Sequence, residues 1–63
     1  MNTLVIMPTF NEAQSLAETV RNLFANVANI DLLIVDDASP DGTGALADSI
    51  ASSDKRVKVL HRT

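Results

Sequence analysis

Leu32-Leu33-Ile34-Val35, halted by Asp36-Asp37 and followed by Ala38-Ser39-Pro40-Asp41-Gly42-Thr43-Gly44, is the stretch from which the architecture can be worked out. Four apolar residues in a row without polar alternation read as a strand buried on both faces, the kind found in parallel sheets. The run after the two aspartates is dense in turn formers and capping side chains, so it predicts a turn that feeds a helix. That helix is expected over about Thr43 to Ser52, with Ala45, Leu46, Ala47 and Ile50 facing inward. Ser39, Asp41 and Thr43 could each cap it.

The flanks repeat the theme. Upstream, Leu4-Val5-Ile6-Met7 is another short apolar run, ended by Pro8, and reads as a second buried strand. From Glu12 the period changes: Leu16, Val20, Leu23, Phe24 and Val27 form one stripe of a helix. Asn11 is placed as its N-cap, and Gln14 as the reciprocal half of a capping box. Downstream, Val57-Lys58-Val59-Leu60 alternates as a third strand that ends at His61-Arg62-Thr63. The order is β-α-β-α-β. Strands separated by single helices run parallel with right-handed crossovers, so the chain is expected to form an α/β fold, half of a Rossmann-like parallel sheet.

Bulk properties narrow the function. At 63 residues the chain is at most one small domain. It has no cysteine and one histidine, which removes disulfides and makes a Cys/His zinc site untenable. A net charge of −3 with five Lys plus Arg speaks against nucleic-acid binding. The longest apolar runs are four residues, against about 20 for a spanning helix. The N-terminus also lacks the basic-then-apolar pattern of a signal peptide.

In open parallel sheets, ligands bind beyond the carboxyl ends of the strands. Those ends are expected to carry Pro8 to Glu12 after strand one, Asp36 to Thr43 after strand two, and His61-Arg62 after strand three. The opposite ends, Asn2-Thr3, Asn29-Ile30-Asp31 and Asp54-Lys55-Arg56, look like a solvated edge. Pro8-Thr9-Phe10-Asn11-Glu12 contains no glycine, so neither the dinucleotide fingerprint nor a P-loop is present. An apolar ring and a carboxylate suit a nucleoside instead. A base can lie against Phe10 and Pro8 while Glu12 accepts from ribose hydroxyls. Asp37 can accept from base N–H groups, and the Val35 backbone can add a contact. Each residue also has a plainer reading. Pro8 ends a strand, Phe10 packs on the helix, Asn11 caps, and Glu12 complements the helix dipole. Asp36 bonds loop N–H groups, and Ser39, Asp41, Gly42 and Thr43 serve the turn.

The combination is more specific than its parts. Val5-Ile6-Met7-Pro8-Thr9-Phe10-Asn11-Glu12, a helix, then Leu33-Ile34-Val35-Asp36-Asp37-Ala38-Ser39-Pro40-Asp41-Gly42-Thr43 resembles the opening of family-2 glycosyltransferases, whose fold is glycosyltransferase A. With Val59-Leu60-His61-Arg62 after it, the Ser39-to-Thr43 version is most similar to dolichyl- or polyprenyl-phosphate mannose synthases. The resemblance covers essentially the whole chain. It implies nucleotide contacts from Pro8, Phe10, Glu12, Val35 and Asp37. Phe10 stands where relatives usually carry tyrosine, which keeps the ring and loses a hydroxyl.

The resemblance further implies transfer of mannose from GDP-mannose to a polyprenyl phosphate, with inversion, at the cytoplasmic face of a membrane. It implies a divalent cation, Mg or Mn, whose Asp-x-Asp ligands lie further along than Thr63. Asp36-Asp37 is not that motif, because adjacent residues of a strand point in opposite directions. Residues 1–63 are therefore expected to be the N-terminal, nucleotide-binding portion of a catalytic domain, without catalytic or metal-binding residues of its own. Alone they are expected to be inactive and to self-associate. Three rivals differ in what they require. A family-2 transferase using a UDP-sugar would use Asp37 and Glu12 equally well. A phosphate-accepting receiver domain would place its acidic pair after strand one rather than strand two. A non-catalytic α/β interaction module would need none of these polar residues.

Overall fold

A computed structural model describes residues 3–38 and 40–62. Ser39, one of the capping candidates, lies outside the described residues, as do Met1, Asn2 and Thr63. Three parallel strands and two helices alternate: β1 Thr3–Thr9, α1 Ala13–Asn26, β2 Ile30–Asp37, α2 Thr43–Ser53 and β3 Val57–Arg62. The strand order is β1-β2-β3. In register, Ile6 stands beside Leu33 and Pro8 beside Val35. On the other side of β2, Val35 pairs with Leu60 and Asp37 with Arg62.

Every strand is longer than its apolar run. β1 continues through Pro8, tolerated because an edge strand need not donate at every residue. β2 takes in both aspartates, and β3 takes in His61 and Arg62, which were expected to follow it. Hydrogen bonding along β2 carries these polar residues into the ladder, since backbone pairing is indifferent to side-chain polarity.

Both helices cover one face. Leu16 and Val20 of α1 and Ala47 of α2 pack with Leu32, Ile34 and Val57, and Val5, Met7 and Val59 border them. Alternation then leaves Leu4 and Ile6 of β1 largely exposed on the other face, with Leu33 and Val35 half-buried between them and Leu60. So β1 and β2 are not covered on both faces among the described residues.

Two inward assignments change. Val27 lies one residue past α1 and is exposed, because the chain has already turned extended there. Ala45 is exposed, and the buried stripe of α2 is Thr43, Gly44 and Ala47, with Leu46, Ile50 and Ala51 beside it. Close approach of α2 to the sheet selects the small residues. Cβ on Gly44 would lie 2.8 Å from the Asp36 carboxylate.

At the amino ends of the strands Arg56 closes the edge. Its guanidinium forks onto Asp54 at 2.9 and 2.6 Å and lies 3.8 Å from the centre of the Phe24 ring. These hydrogen bonds, the side-chain one first and then the Arg56 backbone N–H, hold the Asp54 carboxyl at about 2.

Candidate nucleotide site at the carboxyl ends of the strands

Strand alternation sorts the polar residues at this end into two groups. Asp36 points to the helix face and is 4% exposed, whereas Asp37 points the other way into solvent. Asp36 accepts a hydrogen bond from the Thr9 hydroxyl at 3.4 Å, and His61 Nδ1 lies 4.0 Å from its other oxygen. Asp36 is buried as a structural residue would be, with a neighbouring strand's hydroxyl among its partners where loop N–H groups were expected.

On the uncovered face, Pro8 and Val35 are direct register partners, and Asp37 lies two residues beyond Val35. Arg62 stands opposite Asp37 on β3. Pro8 and Asp37 are exposed. The Val35 backbone, offered above as a base contact, lies in the β1–β2 ladder beside Pro8, and its carbonyl also lies a long 3.5 Å from the Thr9 hydroxyl. Phe10 and Glu12 follow β1 directly and are both exposed. All five sequence candidates thus gather at one end of β1 and β2. Glu12 also lines a depression with Asn11, Ala13, Gln14, Ser15 and Asp41.

The start of α1 departs from the sequence expectation. Asn11 has a left-handed φ of 54°, and the N-cap position belongs not to Asn11 but to Glu12, whose own side chain makes no cap hydrogen bond. A capping box counted from Asn11 to Gln14 is therefore out of register with the helix start. Cap bonds come from the next loop. Asp41 accepts the Ala13 N–H at 3.2 Å, and the Thr43 hydroxyl accepts the Glu12 N–H at 2.9 Å. Asp41 also accepts the Thr43 N–H at 3.1 Å and the Thr43 hydroxyl, which closes the two loops on each other. The hydroxyl of Thr43 first, and then the N–H groups of Ala13 and Thr43, lower the Asp41 carboxyl from its ordinary value. The sequence offers Asp41 as one of three possible caps for its own helix. Its bond to Ala13 joins residues 28 positions apart, and no local pattern reports that.

This arrangement has a chemical consequence. In dinucleotide-binding folds a diphosphate sits on the N-terminus of the first helix. Here the Asp41 carboxylate is already there, and a second anion would meet like charge. The first turn is suited to the uncharged, hydroxyl-bearing part of a nucleotide.

A family model described as glycosyl transferase family 2 matches residues 4–63. The chain belongs to this family. Among similar proteins, an undecaprenyl-phosphate mannosyltransferase of Micrococcus luteus is 54% identical over 63 residues, covering 100% of this chain and 26% of that protein. A polyprenol monophosphomannose synthase of Mycolicibacterium smegmatis is 52% identical over 62 residues, covering 97% of this chain and 23% of that protein. A dolichol-phosphate mannosyltransferase of Pyrococcus furiosus is 39% identical over 69 aligned residues, covering 100% of this chain and 18% of that protein. The chain thus spans about a quarter of the length of the first two relatives.

Family-2 transferases commonly use a divalent metal. Among the described residues no three His, Asp or Glu side chains converge to hold one. Asp36 and Asp37 face opposite sides of the sheet, so the residues present do not fit the cation that the resemblance implies. No described helix is long and apolar enough to cross a membrane.

Proposed function

We propose that these residues form the nucleotide-binding part of a polyprenyl-phosphate mannosyltransferase that takes mannose from GDP-mannose and inverts the anomeric centre. The observation that carries this reading is the gathering of Pro8, Val35 and Asp37 on one uncovered sheet face, with the exposed Phe10 and Glu12 following β1 at the same end of the sheet. Family membership and the names of the relatives support it. The base lies against Pro8 and Phe10 and donates to Asp37, the Val35 backbone adds a contact, and the ribose hydroxyls donate to Glu12. A polyprenyl phosphate is already an anion, so the acceptor needs no strong general base, and catalysis rests on positioning. Ligands for the divalent cation, the acceptor site and the groups that touch the reacting atoms belong to segments outside these 63 residues. The enzyme works at the cytoplasmic face of a membrane. By themselves the 63 residues bind nucleotide without turnover and associate through the uncovered face.

The test is donor selection by the intact protein. GDP is expected to bind more tightly than UDP, and GDP-mannose to support mannosyl transfer to a polyprenyl phosphate. Tighter binding of UDP, with transfer from a UDP-sugar, would replace the mannosyl reading with its nearest rival.

A further inference from the structure

We propose that Asp41 and Thr43 are positioning residues for Glu12, holding the loop after β1 so that the Glu12 carboxylate meets the ribose. The proposal rests on the nucleoside reading of Glu12 and adds to it a second pair of residues from a different loop. Glu12 follows Asn11, whose φ of 54° is left-handed, and its own side chain makes no cap hydrogen bond to the helix that follows. What fixes it is the start of α2. The Thr43 hydroxyl, on a fully buried residue, accepts the Glu12 N–H at 2.9 Å, and Asp41 accepts the neighbouring Ala13 N–H at 3.2 Å. The two acceptors are themselves bonded through the Thr43 hydroxyl and N–H. A turn that served α2 alone would leave the N–H groups of Glu12 and Ala13 to water. Here the Asp41–Thr43 turn at the start of α2 and the loop that carries Glu12 are hydrogen-bonded to each other, so the ribose contact is held by the helix that follows β2.

Thr43→Val keeps the shape of the side chain and removes the acceptor for the Glu12 N–H, whereas Thr43→Ser keeps the hydroxyl. The intact protein would be titrated calorimetrically with GDP and with 2′,3′-dideoxy-GDP, and amide exchange at Glu12 and Ala13 followed in parallel. Wild type and Thr43→Ser are expected to prefer GDP by roughly tenfold, the scale of hydrogen bonds accepted by a carboxylate. Thr43→Val and Asp41→Asn are expected to bring that preference to within about twofold of unity, with dideoxy-GDP affinity little changed and faster exchange at both amides. Equal loss of affinity for both nucleotides would overturn the proposal, as would a retained preference in Thr43→Val, since either means that the pair only supports the fold. Wild type without any ribose preference would remove the Glu12–ribose reading itself, a different failure that the exchange data separate. If Asp41→Asn does not fold, the Thr43 pair of variants decides.

Discussion

His61 Nε2 lies 2.9 Å from Oδ1 of Asp48, so the end of the third strand is fastened to the second helix by a polar contact. On its other side the same ring faces Asp36. Gly44 lies against both, and a Cβ there would stand 2.8 Å from the Asp36 carboxylate and 3.1 Å from the His61 ring. These contacts have unequal weights. His61 and Asp48 are both half-exposed or more, so their pair adds at most about 1 kcal/mol. Asp36 is buried and its partners matter more.

Gly44→Ala is therefore expected to destabilise the protein by about 1–3 kcal/mol, the cost of overpacking a closed contact. His61→Ala is expected to cost less than about 1 kcal/mol. Urea unfolding of both variants checks the ranking. A neutral Gly44→Ala would mean that α2 does not approach the sheet so closely.

The architecture was legible because periodicity reports local structure. Leu16 and Val20 fell where a helix stripe puts them, and the turn at Pro40-Asp41-Gly42 led into a helix starting at Thr43. Chain segments were missed where pairing or crowding decides. β3 runs on through His61 and Arg62 because β2 offers them partners, Asp36 and Asp37. Small residues line the buried side of α2 because the helix lies close to Asp36. At the candidate site, Asp36 and Asp37 could be separated by strand alternation alone. The Asp41–Ala13 bond could not, since it requires the relative placement of two loops.

Acid should weaken the amino-end clasp in a defined window. The Asp54 carboxyl, held at about 2 against an ordinary 3.8, is depressed in the folded state. Such a group contributes stability that is fully present above its unfolded value and is lost as pH falls through the folded one. The urea midpoint is thus expected to fall between roughly pH 4 and pH 2 more steeply in wild type than in Asp54→Asn. Parallel curves for the two proteins would show that the Arg56 fork adds nothing in solution.

Asp37→Asn in the intact protein is expected to weaken nucleotide binding by about 1–3 kcal/mol, through loss of a charge-accepted hydrogen bond on an exposed residue. Glu12→Gln should act in the same direction and more mildly. Unchanged nucleotide affinity in Asp37→Asn, with an intact circular dichroism spectrum, would rule Asp37 out as the base contact.

The 63 residues alone should transfer no mannose, because none of their described side chains forms a metal site and the acceptor site is assigned to other segments. Radiolabelled transfer to a polyprenyl phosphate by this stretch alone would refute that division of labour.

The uncovered face sets the solution behaviour of the same 63 residues. Leu4 is 58% exposed, Ile6 60% and Leu60 50%, and the half-buried Leu33 and Val35 join them into one surface. Such a patch spans on the order of several hundred Å², the scale at which an exposed apolar surface marks an interface. The neighbouring edge adds to it. β1 lies at the end of the strand order and carries no charged side chain from Thr3 to Thr9, whereas β3 at the other edge has Lys58 and Arg62. Charge on an edge strand discourages pairing, so β1 is the open edge, blunted only where Pro8 lacks an N–H. The stretch is expected to self-associate at high micromolar concentration, and Ile6→Lys, which puts a charge in the middle of the face, to reduce association. Sedimentation equilibrium reads both. A wild-type monomer that unfolds in one sharp transition would mean that half-buried Leu33 and Val35 shelter the face well enough without a partner.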